Sequence, residues 1–338
     1  EQILLTGGED RLNEYRDELR TVAEELGMQT EFAKINSIIS ALLSTHDAKI
    51  LSTDSAKALA AGNPFDKTRV ELFEVLFDAI KDRYFVIRNN RNTDEESFRL
   101  FSFFESYFSN YIEGTEFEID EAKAIVDSGI PMPRRDEDSH DILGTFKVLS
   151  NRAEMMKTPT SPKELFAILS HRHSILLEGR PHMNPGIFKT KNNRAGMTEF
   201  VDYQLVKGTL SQGFKYYAAL TDPFARAIFM MFMISEVHPF NDGNGRVARV
   251  MMNAELVRAD QSRIIVPTVF REDYILALRK LTRHKDPLAY INVMTKLHQF
   301  SDNLYGTDFT ELKNYLATCN AYEEPSQAKL QIIDRSIL

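Results

Sequence analysis

The chain has one cysteine in 338 residues, Cys319, and no tryptophan. A lone thiol rules out an intrachain disulfide framework and a cysteine-rich zinc site, and it fits a reducing compartment. The apolar runs reach only about half the length that a bilayer requires, so no segment reads as a membrane-crossing helix. Net charge is −8, so nucleic acid finds no overall positive field. The basic cluster Lys189 to Arg194 still leaves local anion binding open. There is no apolar leader either, and with the single thiol this sets the expectation of a cytoplasmic protein.

What is present is the composition of an ordinary soluble globular protein, 43% hydrophobic and 27% charged. The length suffices for one large domain or two modest ones. Residues 9–27 read as a charged helix ending at Gly27, and apolar positions recur at helical spacing over residues 31–45 and 67–87. The polar stretch Asn89 to Thr93 reads as a domain boundary. Asp94 caps an aromatic-rich helix that ends near Glu113 and stops at Gly114. Residues 131–138 read as a loop, with a helix from about Asp141. Ser161-Pro162-Lys163-Glu164 carries the residues of a capping box with proline in the first turn. One hairpin is expected, with arms Ile187–Lys191 and Thr198–Tyr203 around residues 192–196. Helices resume at Asp222-Pro223 and run through Leu256, 271–283 and 286–299. The expected class is all-α with one small hairpin.

Between two apolar runs stands His238-Pro239-Phe240-Asn241-Asp242-Gly243-Asn244-Gly245-Arg246, followed by Arg249. Gly245 to Val257 reads as a helix whose buried stripe is Val247, Val250, Met251 and Ala254. Arg246, Arg249 and Asn253 share another face. Two arginines in the first turns of a helix oppose the partial positive charge of its free N–H groups and repel each other. A bound anion reverses both effects. Glycines let backbone approach a phosphate. Asp242 repels a bare phosphate but suits one carrying Mg²⁺. His238 is a base that titrates near neutral pH. The stretch reads as a magnesium–polyphosphate cradle with an adjacent base, and its spacing is neither that of a P-loop nor that of a Rossmann fingerprint.

These residues resemble the signature of the Fic family, His-Pro-Phe-x-Asp/Glu-Gly-Asn-Gly-Arg-x-x-Arg, at every position, with the resemblance extending over roughly residues 94–300. It implies a Fic-type helical bundle with a hairpin flap and an N-terminal helical region. Divided on that basis, residues 1–92 form the N-terminal region. Residues 93–300 form the catalytic domain, including an inhibitory helix at 94–114, and residues 301–338 form a C-terminal helix and tail. The implied activity is transfer of AMP from ATP to a Ser, Thr or Tyr hydroxyl of a protein. The implied roles are a base for His238, a Mg²⁺ ligand for Asp242, and contacts to phosphate oxygens for Asn244 and the backbone of Gly243 and Gly245. Arg246 and Arg249 would hold the outer phosphates, and Phe240 would anchor the loop in the core.

A second segment, Ser109-Asn110-Tyr111-Ile112-Glu113-Gly114, resembles the family's inhibitory motif, Ser/Thr-x-x-x-Glu-Gly/Asn. An acid in the last turn of a helix is itself unfavourable and needs a cation. The resemblance implies that Glu113 pairs with Arg249 and displaces the γ-phosphate. In some relatives such a glutamate also supports removal of AMP from the modified target. The hairpin position resembles the family's flap, with Ile187, Phe188, Lys189 and Thr190 as the target-docking residues. Tyr274 matches the base pocket, but Ile275 follows it. Leu281 to His284 stand where relatives carry an asparagine, which leaves nucleobase preference open. His171, His173 and His182 lack an acid or cysteine at ligand spacing and read as helix-face and loop residues. Two further readings stay open: a Fic-like transferase using another nucleotide or phosphate donor, and a non-catalytic nucleotide-binding module. The expected partners are ATP and a hydroxyl-bearing protein, not a membrane or nucleic acid. A homodimer is also left open.

Overall fold

Side-chain caps set many of the helix starts in the computed structural model, which describes residues 1–335. The first helices are α1 (Gln2–Leu26), α2 (Gln29–Leu42), α3 (Asp54–Ala60) and α4 (Lys67–Ile80). They are followed by α5 (Glu95–Ile112), α6 (Ile119–Ser128), α7 (Asp136–Leu149), α8 (Arg152–Met155) and α9 (Pro162–Leu176). Two strands, β1 (Arg194–Ala195) and β2 (Thr198–Glu199), pair antiparallel with Arg194 opposite Glu199. The remaining helices are α10 (Val206–Ala219), α11 (Pro223–Val237), α12 (Asn244–Arg258), α13 (Arg271–His284), α14 (Pro287–Ser301) and α15 (Phe309–Thr318). Asp94, Ser161 and Asp222 each accept a backbone N–H at the start of α5, α9 and α11. Each such cap contributes about 1 kcal/mol. Among the described residues no helix is long and apolar enough to cross a membrane.

The core is built around α11 and α12. Nearly every residue of α11 is buried, so it is apolar all round rather than striped. Phe73 of α4 packs edge-on against Phe229 and Phe232 of α11. α4 therefore belongs to the main core, as do Leu312 and Leu316 of α15. The expected divisions near residues 92 and 301 do not coincide with breaks in packing. Only α2, α3 and their flanks form a separate small cluster, around Ala41, Leu42, Leu51 and Ala56. The last three residues of the expected tail, 336–338, lie outside the described residues.

Four other expectations change. α4 ends at Ile80 rather than residue 87, because the chain beyond it must extend to pair with 260–262. Asn90 N–H donates to Asp260 O, and Ser262 N–H donates to Arg88 O. The same bonds pin Asn89 to Thr93, so that stretch is not a free linker. α7 begins at Asp136, because Asp136, Glu137 and Asp138 stabilise a helix N-terminus rather than a loop. α6 and α10 were not expected. α10 contains Gly208 and Gly213, which weaken the local signal, yet packing demands them. A Cβ at Gly208 would lie 2.0 Å from Pro64 O.

The hairpin is shorter than expected and displaced. Ile187–Lys191 is not a strand, and the two arms are residues 194–195 and 198–199. The upstream segment is instead held on the motif loop, where Lys189 N–H donates to Pro239 O.

Candidate active site

The histidine of the motif closes α11. His238 sits in the left-handed region, φ 51°, and its Nδ1–H donates to Ser235 O at 2.9 Å. A carbonyl only accepts, so the proton is on Nδ1 and Nε2 carries the free lone pair. The ring stacks on Phe200, just beyond β2, with centroids 3.5 Å apart. Burial pushes its pKa down to about 4, so the imidazole is neutral near pH 7.

The loop after it is braced from several sides. Phe240 is fully buried and stacks on His173 of α9. His173 takes Gly186 N–H on Nδ1 and donates Nε2–H to Asp242 O. Both ring nitrogens are thus spent on backbone, as suits a histidine on a helix face. Asn193 Nδ2 donates to Phe240 O, and its Oδ1 accepts from Lys189 Nζ. Burial pushes the Lys189 ammonium down to about 8. Gly243 has φ 69°, and a Cβ there would lie 2.6 Å from Leu177. Only glycine meets both demands.

α12 starts at Asn244 and is buried on both faces. The expected separate face of Arg246, Arg249 and Asn253 is not solvated: it meets a polar row on α5. Asn253 Nδ2 donates to Glu105 Oε1 at 2.7 Å. Arg249 Nε donates to Ser109 Oγ, and Nη2 donates to Ser109 O, both at 2.9 Å. The same Nη2 reaches Glu113 Oε1 at 2.6 Å. Glu105, Ser109 and Glu113 are four residues apart, so they share one face of α5. Burial alone would raise the Glu113 carboxyl, but Arg249 and Arg246 hold it below the usual carboxylate range. The carboxylate also covers the first turn of α12: a Cβ on Gly245 would lie 2.2 Å from Glu113 Oε1. Glu113 therefore fills the place where an anion would meet the helix N-terminus and Arg249.

Of the residues singled out in the sequence, His238, Gly245, Arg249, Tyr274 and Glu113 line one cavity of about 290 Å³. The other cradle residues do not. Asn244 is spent on the loop itself, accepting Phe240 N–H and donating to Phe240 O. The Arg246 guanidinium lies behind the loop, 2.7 Å from Asp141 Oδ1 and 3.5 Å from Asp242 Oδ2. Both side chains face inward, where the loop, α7 and, for Arg246, Asn110 of α5 supply buried partners. Asp242 stays half-exposed on the open side of the loop. Phe188 and Lys189 turn into the fold, while Ile187 and Thr190 are exposed. A larger cavity, about 720 Å³, lies along that segment rather than at the histidine.

Sequence reasoning missed Arg69 and Glu236. Arg69 of α4 is 3.0 Å from Glu236 Oε2 and donates to Glu199 O in β2. Glu236 also accepts from Thr282 Oγ1 and lines the cavity. No local pattern marks either residue.

A histidine with Nδ1 spent on backbone, the first turn of α12 and an acid paired to Arg249 now stand around one cavity. Residues 163–256 match the model of the Fic/DOC family. The chain is a Fic/DOC family protein. It is 25% identical over 214 residues to the protein adenylyltransferase Fic of Nematostella vectensis, covering 59% of this chain and 47% of that one. To the protein adenylyltransferase fic-1 of Caenorhabditis elegans it is 26% identical over 231 residues, covering 66% and 45%. The chain thus spans about half the length of the curated relatives it matches. The fold is similar to that of C. elegans Fic-1, residues 134–508, with a TM-score of 0.52 at 17% identity over 92% of this chain and 88% of that one. A Fic domain-containing signaling protein from Bacteroides thetaiotaomicron gives 0.50 at 16% identity, covering 71% and 98%. The chain has the Fic fold, mostly helical with one two-stranded antiparallel hairpin.

Proposed function

We propose that this protein is an autoinhibited adenylyltransferase that moves AMP from ATP to a protein hydroxyl. The observation that carries this reading is the cavity that His238 shares with Gly245 and Arg249 of α12, with Nδ1 spent on Ser235 O and the Glu113 carboxylate paired to Arg249. In this reading the triphosphate replaces the Glu113 carboxylate at Gly245 and Arg249. The target hydroxyl gives its proton to His238 Nε2, and its oxygen bonds to the α-phosphorus. The bond from that phosphorus to the bridging β-oxygen breaks, and pyrophosphate leaves. Positioning and charge neutralisation carry such a transfer, with little covalent work for the protein.

The residues fit a magnesium ion supplied with the nucleotide. The Asp242 carboxylate lies 3.5 Å from Arg246 Nη2 and is half-exposed. No cluster of three or more His, Cys, Asp or Glu capable of holding a metal occurs among the described residues. One carboxylate completed by phosphates and water is the usual magnesium arrangement. When bound, the ion would neutralise charge on the outer phosphates.

The target would pair with the Ile187–Thr190 segment. Lys189 N–H is spent on Pro239, and in an extended chain its neighbours point the other way. That edge borders the 720 Å³ groove. Tyr274, Ile275 and Leu278 offer a largely apolar seat for the base.

The test is incorporation of α-labelled ATP into a lysate and into the protein itself, with Mg²⁺, by the native chain, Glu113→Gly and His238→Ala. Labelling that rises in the first variant and disappears in the second supports the reading. A Glu113→Gly chain that binds ATP and labels nothing overturns it.

A further inference from the structure

We infer that Asp141 is a positioning residue for the acid of the motif, acting on Asp242 through Arg246. The inference rests on the nucleotidyl-transfer reading above and extends it to residues outside the motif. Asp141 lies on α7 with its side chain 3% exposed. It accepts from Arg180 Nε at 3.0 Å and Arg180 Nη2 at 2.8 Å. Its Oδ1 is also 2.7 Å from Arg246 Nη1. Arg246 Nη2 then lies 3.5 Å from Asp242 Oδ2. The result is a chain of alternating charge, Arg180, Asp141, Arg246 and Asp242, from the end of α9 to the motif loop.

Three features make this chain more than a buried ion pair. First, Arg246 is the motif arginine that does not line the cavity, and its guanidinium is turned toward two acids, with Asn110 Oδ1 a longer contact at 3.4 Å. Its Nε is buried with no hydrogen-bond partner, a cost that a purely structural arginine would be expected to avoid. Second, Asp141 is gripped from behind by a guanidinium fork in bidentate geometry, which fixes direction as well as distance. Arg180 is anchored in turn by Glu137 at 3.2 Å and Asp138 at 3.5 Å. Third, the chain ends on the one motif acid that is open to solvent and free to take a cation. His173 holds the backbone of that same residue at 3.0 Å. α7 and α9 thus fix Asp242 by main chain and by side chain at once.

The consequence is electrostatic. Left alone with Asp242, Arg246 would be drawn to it and would compete with a divalent cation. Asp141 takes the stronger share of the guanidinium, at 2.7 Å against 3.5 Å. Asp242 is left oriented but not neutralised. Outer partners of this kind typically change metal affinity by about 10- to 100-fold when removed.

The experiment uses the full chain carrying Glu113→Gly, with and without Asp141→Asn, and measures ATP affinity by calorimetry in Mg²⁺ and in EDTA. The parent variant must bind ATP with Mg²⁺; if it does not, the nucleotidyl-transfer reading itself fails, and this inference with it. With binding established, Asp141→Asn should weaken the Mg²⁺-dependent affinity about 10-fold or more and leave the EDTA value within about twofold. Equal losses in both conditions mean a structural role and overturn the inference, as does an unchanged Mg²⁺ value. Arg180→Gln, at the outer end of the chain, guards against a misfolded Asp141 variant and should shift the Mg²⁺ value alone by a few-fold. If it shifts both values equally, or neither, the inference is overturned.

Discussion

Replacing Glu113 by glycine should raise the rate of AMP incorporation about 30- to 150-fold. The magnitude follows from what the carboxylate does. It makes one charge-assisted bond to Arg249 at 2.6 Å. Such bonds contribute about 1.5–3 kcal/mol, and the lower part of that range applies because the Glu113 side chain is 32% exposed and partly screened. It also sits on the first turn of α12, beside Gly245, where a helix N-terminus adds about 0.3–1 kcal/mol. Together these set a gate of about 2–3 kcal/mol, and each 1.36 kcal/mol is tenfold. Arg249 keeps both Ser109 bonds in the variant, so the arginine stays in place and the fold loses little. The assay is initial-rate labelling at saturating target, with ATP affinity measured in parallel. Glu113→Gln, which keeps the shape and loses the charge, should fall between native and glycine. The Glu113 carboxyl is held below its ordinary value, so the brake is intact above that range and lost only as pH falls through the folded value. The ratio of variant to native rate should therefore be flat from pH 6 to 8. A glycine variant that binds ATP no more tightly and labels no faster than the native chain would refute the reasoning.

Three further outcomes are expected. His238→Ala in the Glu113→Gly background should lose labelling while still binding ATP with Mg²⁺, because His238 contributes the base and not the anion site; loss of binding would contradict that assignment. In the same background the acid limb of the pH–rate profile should lie at or below about pH 4, because burial holds His238 there even with the Glu113 charge present to raise it, and Phe200→Ala should move the limb toward 6.5 by removing the stacked ring; an unmoved limb would separate the stack from the shift. His298, buried and donating to Ser262 O, is held down to about 4, so the unfolded chain takes up that proton first. The stability it contributes is present above about pH 6.5 and lost as pH falls toward 4, by up to about 3 kcal/mol. Urea unfolding of native and His298→Gln chains at pH 7 and pH 4 checks this, and parallel losses in the two would count against it.

Much of the helical frame was legible because caps and apolar spacing are local signals. Asp94, Ser161 and Asp222 announce α5, α9 and α11 by side chain, and the structure uses those side chains as caps. What failed was decided by distant partners. Residues 81–87 read as the end of a helix and Asn89 to Thr93 as a domain boundary, yet the backbone of residues 88–90 pairs with residues 260–262. The hairpin arms read as residues 187–191 and 198–203 by alternation, but the upstream arm found Pro239 as its hydrogen-bond acceptor instead of the downstream arm. α10 was missed because Gly208 and Gly213 argue against a helix locally, while Pro64, Phe73 and Met233 leave room for nothing larger.

The site divides in the same way, and the division says what kind of residue a motif can reveal. The misplacement of Arg249 at a helix N-terminus and of Glu113 at a helix C-terminus is a local electrostatic anomaly, so each could be recognised as needing a partner before the partner was seen. Arg246 carries the same anomaly, but resolving it needs Asp141, more than a hundred residues away, and only the packing of α7 says that the acid faces inward. Asn244 looks like a phosphate ligand by type, but both ends of its amide are spent on Phe240. Arg69 gives no signal at all, since a surface arginine on an amphipathic helix looks the same. Yet it joins the hairpin to the cavity wall from outside residues 93–300. A fragment beginning at residue 93 would lack Arg69 and so remove the cation that faces Glu236. The wall of the cavity is therefore braced by a residue of α4, which a boundary drawn at the polar stretch 89–93 would leave out.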